Sequence, residues 1–103
     1  MSWLVEFAPE VEQDMTTASD WYEPRQMGLG VRFVEEVIRV WDGLTENPLL
    51  GCRRHPTKNI HWRYPENFPY RVIYEVNETE GIVRVAAVLH AARSDHHWHR
   101  RVN

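Results

Sequence analysis

The sequence predicts an α+β domain: an N-terminal strand, an α-helical hairpin, then a three-stranded antiparallel sheet with a short C-terminal segment. Three observations predict it. Apolar residues alternate at the start of the chain, they recur at helical spacing over two stretches in the first half, and they alternate again in three stretches of the second half.

Trp3, Val5 and Phe7 alternate with Leu4 and Glu6, which predicts a strand over residues 2 to 7 with one partly buried face. At Ala8-Pro9-Glu10 the pattern changes. Proline suits a first helical turn, and Glu10 and Glu12 complement the positive end of a helix dipole. Val11, Met15, Ala18 and Tyr22 follow at helical spacing, and Pro24 forces an end at Glu23 because the residue before proline is pushed out of the helical region. A second helix is predicted from about Gly28-Leu29-Gly30, with Phe33, Val34, Val37, Ile38, Trp41 and Leu44 as its apolar stripe and Asn47-Pro48 as its end. So short a connection makes the two helices an antiparallel hairpin lying on a sheet.

Residues 49 to 58, with Arg53, Arg54, Pro56 and Lys58, read as an exposed basic loop. Ile60, Trp62 and Tyr64 alternate with His61 and Arg63, a strand with one polar face. Pro65 to Pro69 turns into a strand over residues 70 to 76, and Glu78-Thr79-Glu80-Gly81 turns into one over residues 82 to 90. A four-residue loop pairs Asn77 with Ile82 and Glu75 with Arg84, and it gathers Val72, Tyr74, Val76, Val83, Val85 and Ala87 on one face. Continued without interruption, this register sets Arg71 opposite Val88 and diagonal to His90 on the face away from the helices.

At 103 residues the expectation is one domain over 1–103. No apolar run is long enough to span a bilayer and the acidic start lacks the pattern of a signal peptide, so a cytoplasmic location is expected. Cys52 is the only cysteine and has no partner for an internal disulfide. The chain has a formal net charge of -3, which argues against a generic nucleic-acid binder. Charge is nonetheless segregated: residues 1 to 50 hold three Arg against ten Asp and Glu, and residues 51 to 103 hold nine Lys and Arg against five acids, with all six His. His90, His96, His97 and His99 invite a metal reading, but their spacing defines no site, and neither metal nor cofactor is expected. They read instead as a positive rim anchored to the sheet by Trp98.

Phe7-Ala8-Pro9-Glu10-Val11-Glu12, Trp21-Tyr22, Arg32-Phe33, Glu46-Asn47-Pro48, Phe68-Pro69-Tyr70-Arg71-Val72-Ile73-Tyr74, and Val88-Leu89-His90 followed by Arg93, Trp98 and Arg101 together resemble the RelE/ParE superfamily of toxins over nearly the whole chain. The resemblance implies a toxin of a type II toxin–antitoxin pair, neutralised by a cognate antitoxin that wraps it in extended and helical segments. RelE-like members cleave messenger RNA on the ribosome, and ParE-like members poison DNA gyrase. Under the RelE-like reading Arg71 is the phosphate clamp and His90 the proton-transfer group, Arg93 and His97 assist, and Arg53, Arg54, Lys58, His61 and Arg63 bind substrate. The tyrosine often found near the end of RelE-like toxins has no clear counterpart, with only His97 or Trp98 near that position. Inhibition of gyrase by binding asks for no proton relay and tolerates an acidic chain, so the ParE-like reading is preferred; the alternatives are a ribosome-dependent endoribonuclease and an inactive toxin-fold binding module. A homodimer and a toxin–antitoxin hetero-oligomer are both compatible with the sequence.

Overall fold

The computed structural model describes residues 2–102. Strand β1 (Leu4–Phe7) leads into helices α1 (Glu10–Tyr22) and α2 (Leu29–Glu46), followed by strands β2 (Arg53–Arg54), β3 (His61–Arg63), β4 (Tyr70–Asn77) and β5 (Ile82–His90) and a single helical turn α3 (His96–His99). Among the described residues the sheet has five strands, in the order β1-β5-β4-β3-β2. The three antiparallel strands expected are therefore β3, β4 and β5. To them are added β1, parallel to β5, and β2, a two-residue edge strand formed where the sequence suggested only a basic loop.

The helical hairpin covers one face of the sheet. Val11, Met15 and Ala18 of α1 and Phe33, Val37 and Leu44 of α2 pack with Val72, Tyr74, Val76, Val83, Val85 and Val88. Ile38, expected in the stripe of α2, is 41% exposed, because the stripe is narrower than its apolar content suggests. The helices approach closely at Gly30, whose missing side chain makes room for the Ser19 carbonyl. Glu23 closes the corner: its carboxylate accepts the Gly28 N–H at 2.7 Å and the Gly30 N–H at 2.9 Å, satisfying amides at the start of α2 that have no helical partner. At the other end of α2, the Tyr74 hydroxyl donates to the Pro48 carbonyl at 2.6 Å, and the Arg63 guanidinium donates to the Asn47 carbonyl.

The opposite face of the sheet is covered as well. Trp98 lies on Ile60, Ile73, Ala87 and Leu89, flanked by Trp62 and Val102, and is 1% exposed. Residues 91 to 102 thus form a strap across that face, which corrects the reading of β3. Its apolar residues Ile60 and Trp62 serve this second core, while His61 and Arg63 point toward the helical layer.

Between β4 and β5 the expected register holds for Asn77↔Ile82, Val76↔Val83, Glu75↔Arg84 and Tyr74↔Val85. It then shifts. Ile73 pairs with Ala87, leaving Ala86 as an extra residue, and Arg71 faces Leu89 while Tyr70 faces His90. A bulge of this kind moves every following side chain to the other face. Ala87 accordingly leaves the helical face for the strap side, and Val88 takes its place in the main core.

Candidate functional site: a cleft beside the end of the central hairpin

The bulge separates the two residues on which the nuclease chemistry was expected to rest. Arg71 remains on the strap side, while His90 is carried to the helical side, where its ring meets the Tyr70 ring edge-to-face at 5.3 Å. The sequence register missed this because Ala86-Ala87-Val88-Leu89 is apolar throughout and fits either phase.

Arg71 is buried and committed. Its Nη1 lies 3.1 Å from Asp95 Oδ1, its Nη2 donates to the Arg93 carbonyl at 3.3 Å, and its guanidinium sits over the Trp62 ring at 5.6 Å. Burial acts to raise the Asp95 pKa, but hydrogen bonds from Trp98 and Arg71 outweigh it and hold the carboxyl below its ordinary value. These bonds fix the turn that follows β5. The Ala91 N–H donates to the Pro69 carbonyl at 2.8 Å and the Arg93 N–H to the His90 carbonyl at 2.9 Å. The Ala92 N–H donates to His90 Nδ1 at 3.0 Å, so the neutral ring carries its hydrogen on Nε2.

His90 and Arg93 do come together. With Thr17 and Tyr70 they line two adjoining hollows of about 240 and 480 Å³, one reaching to Gln13, Asp14 and Val88 and the other to Trp21, Tyr22 and Pro69. The aromatic floor is set by the core: Tyr22 stacks on Phe33 at 5.5 Å and meets Phe68 at 5.0 Å, and Tyr70 meets Phe33 at 4.9 Å. Burial raises the pKa of both phenols, and for Tyr22 the neighbouring Tyr70 adds to the effect. Both therefore stay protonated at neutral pH. Tyr22, Tyr70, Thr17 and Trp21 were not singled out from sequence as site residues, although Trp21-Tyr22 and Tyr70 stand in the motifs that carry the resemblance.

The other expected site residues are dispersed. His97 lines a separate hollow with Glu10, Arg100 and Arg101. Arg53, Arg54 and Lys58 are exposed at the β2 edge, free of ion pairs among the described residues. His61 is buried, stacked on Tyr74 with ring centres 5.7 Å apart and bonded through Nε2 to Asn59 at 3.1 Å. Burial, and then the Arg54 charge, lower its pKa against a weaker opposing effect of Glu78. Arg63 is spent on the end of α2. His61 and Arg63, expected to bind substrate, are here engaged within the fold, and the polar alternation of β3 serves to seat the helix end. Among the described residues no cluster of His, Cys, Asp and Glu has the geometry of a metal site, and no helix is long and apolar enough to cross a membrane.

The fold is that of the RelE/ParE superfamily of toxins. A mutant of Escherichia coli toxin RelE in the free state superposes with a TM-score of 0.74 at 16% identity, covering 100% of both chains. A chain of the chromosomal ParDE toxin–antitoxin system from P. aeruginosa gives a TM-score of 0.71 at 12% identity over 86% of this chain and 96% of that one. The toxin–antitoxin complex RelBE2 from Mycobacterium tuberculosis gives 0.58 at 18% identity over 87% and 99%. No curated protein matches the chain in sequence. The family model described as the ParE toxin of the type II toxin–antitoxin system parDE matches residues 5–95, and the chain belongs to this family.

Proposed function

We propose that this toxin acts in the ParE manner, arresting growth by binding DNA gyrase, and that a cognate antitoxin encoded beside it holds it inactive. The observation that carries this reading is the placement of Arg71 and His90 on opposite faces of the sheet. A phosphodiester cleavage site needs its phosphate clamp and proton carrier within reach of one substrate. Here Arg71 is occupied by Asp95 and the Arg93 carbonyl, and the Nδ1 lone pair of His90 is occupied by the Ala92 N–H. Inhibition by binding needs neither group free. The match to the ParE toxin model supports the same branch, and the ParDE and RelBE2 systems with which the fold superposes support an antitoxin partner.

One observation favours a second reading, a ribosome-dependent endoribonuclease: Arg53, Arg54 and Lys58 form an exposed basic edge suited to RNA phosphates. Induced expression without antitoxin separates the readings. Growth arrest with DNA-damage signalling and intact transcripts is the expected result. Cleaved transcripts that disappear in Arg71→Ala and His90→Ala variants overturn it in favour of the nuclease, and unimpaired growth favours an inactive binding module.

A further inference from the structure

We infer that the cleft between α1 and the Tyr70–His90 pair recognises a carboxylate carried on a partly apolar segment of a partner protein. This deepens the binding reading by naming the chemistry of one contact.

Hydrogen-bond donors converge in the cleft without matching acceptors. The Ala92 bond leaves the His90 Nε2–H as a donor. The Arg93 guanidinium and the Tyr22 and Tyr70 hydroxyls have no partner among the described residues, and the Thr17 oxygen accepts from Gln13 at 3.0 Å, which leaves its hydrogen to donate. Asp14, the carboxylate in the cleft lining, is engaged with Arg101 and the Val88 N–H, and Glu23 and Asp95 are likewise taken up, by the amides of α2 and by Arg71 and Trp98. A ligand must therefore bring the acceptors, and a carboxylate fits the fork of a single guanidinium.

Trp21, Tyr22, Pro69 and Tyr70 make the remaining walls apolar. Trp21 is half-exposed, with the Arg25 guanidinium 3.4 Å from its ring centre, so a second cation stands at the rim. An occupant with an apolar group beside its acid buries both. A phosphate dianion suits the place less well than a carboxylate, because α1 offers its C-terminal half here and the negative end of the helix dipole repels a double charge more strongly than a single one. Arg71 reaches from the far side of the sheet to the Arg93 carbonyl and Asp95, and so holds the donor turn in place as a positioning residue.

The test uses the full chain labelled with ¹⁵N and three probes: acetyl-Phe-Glu-amide, its Gln counterpart, and uridine monophosphate. The expected result is a saturable shift of the His90 ring nitrogens and the Arg93 amide with the Glu peptide, and at least about tenfold weaker binding of the Gln peptide. Arg93→Ala, at an exposed position, weakens the Glu peptide by about tenfold, Arg71→Ala weakens it while leaving Arg93 in the chain, and Arg39→Ala, at an exposed position on α2, leaves it unchanged. No saturable shift, equal binding of the Glu and Gln peptides, or tighter binding of the nucleotide overturns the inference. Binding is measured on the isolated toxin, so it fails independently of the growth experiment: arrest through gyrase without peptide binding sinks only the site, and peptide binding without gyrase inhibition sinks only the target.

Discussion

Asp14 and Arg101, on α1 and near the end of the chain, form a two-pronged ion pair with N···O distances of 2.6 and 3.2 Å. The same carboxylate accepts the Val88 N–H at 3.0 Å, and the same guanidinium donates to the carbonyl of the bulge residue Ala86 at 3.3 Å. One pair thereby ties helix, strand and strap together. Asp14→Ala leaves a largely buried guanidinium without its carboxylate and an amide without its acceptor, so denaturant unfolding is expected to show a loss of about 3–5 kcal/mol. Asp14→Ala combined with Arg101→Met is expected to lose less than the two single changes added together, because the second removes the orphaned charge.

Trp98 is the main apolar anchor of the strap. Trp98→Ala removes a fully buried side chain from a small core and is expected to cost about 3–5 kcal/mol. Amide exchange should quicken first in residues 91 to 102, whereas uniform quickening across the sheet would mean that the strap does not open separately.

The buried His61 gives stability a specific pH dependence. Its folded pKa lies below that of a free imidazole, so as pH falls the unfolded chain takes up the proton first. The stability it contributes is therefore complete above about pH 6.5 and is lost as pH falls through that value toward the folded pKa. Melting temperatures across this range should fall more steeply for the wild type than for His61→Gln. Equal slopes would count against a neutral buried ring.

Gly30→Ala tests the helix contact. An added Cβ would lie 2.7 Å from the Ser19 carbonyl oxygen, 2.9 Å from its hydroxyl and 3.0 Å from the Glu23 carboxylate. Crowding of this kind costs typically 1–3 kcal/mol, against roughly 1 kcal/mol gained in helix propensity. Net destabilisation is expected in thermal unfolding, and a gain would show that the hairpin can spread without loss.

Both long helices are legible in the sequence because their ends are chemically marked. Pro24 follows α1 closely, and Asn47-Pro48 stops α2 within a residue of the expected end. The turn half of the central hairpin is equally legible, since Glu75↔Arg84 and the alternating valines admit one register. Beyond Val85 four consecutive apolar residues erase the alternation that identifies a face, and the phase of His90 goes with it. That loss of alternation is itself the signal of a possible bulge. The parallel pairing of β1 with β5 depends on how distant segments pack, and nothing local to residues 4–7 encodes it. For the site, the association of His90 with Arg93 follows from their nearness in sequence. The contribution of Thr17 and Tyr22 follows only from laying α1 beside that strand end.

A strand has parity, and Ala86 changes it once. Everything up to Val85 keeps one odd–even assignment and everything from Ala87 keeps the other, while both cores stay filled because the residues around the change are all apolar. The insertion or loss of a single small residue there exchanges which surface receives the side chains at the strand's end. A scaffold built this way can turn the same histidine toward the cleft beside α1 or toward the opposite surface without redesigning its interior, so the count of residues along one strand decides which surface carries that side chain.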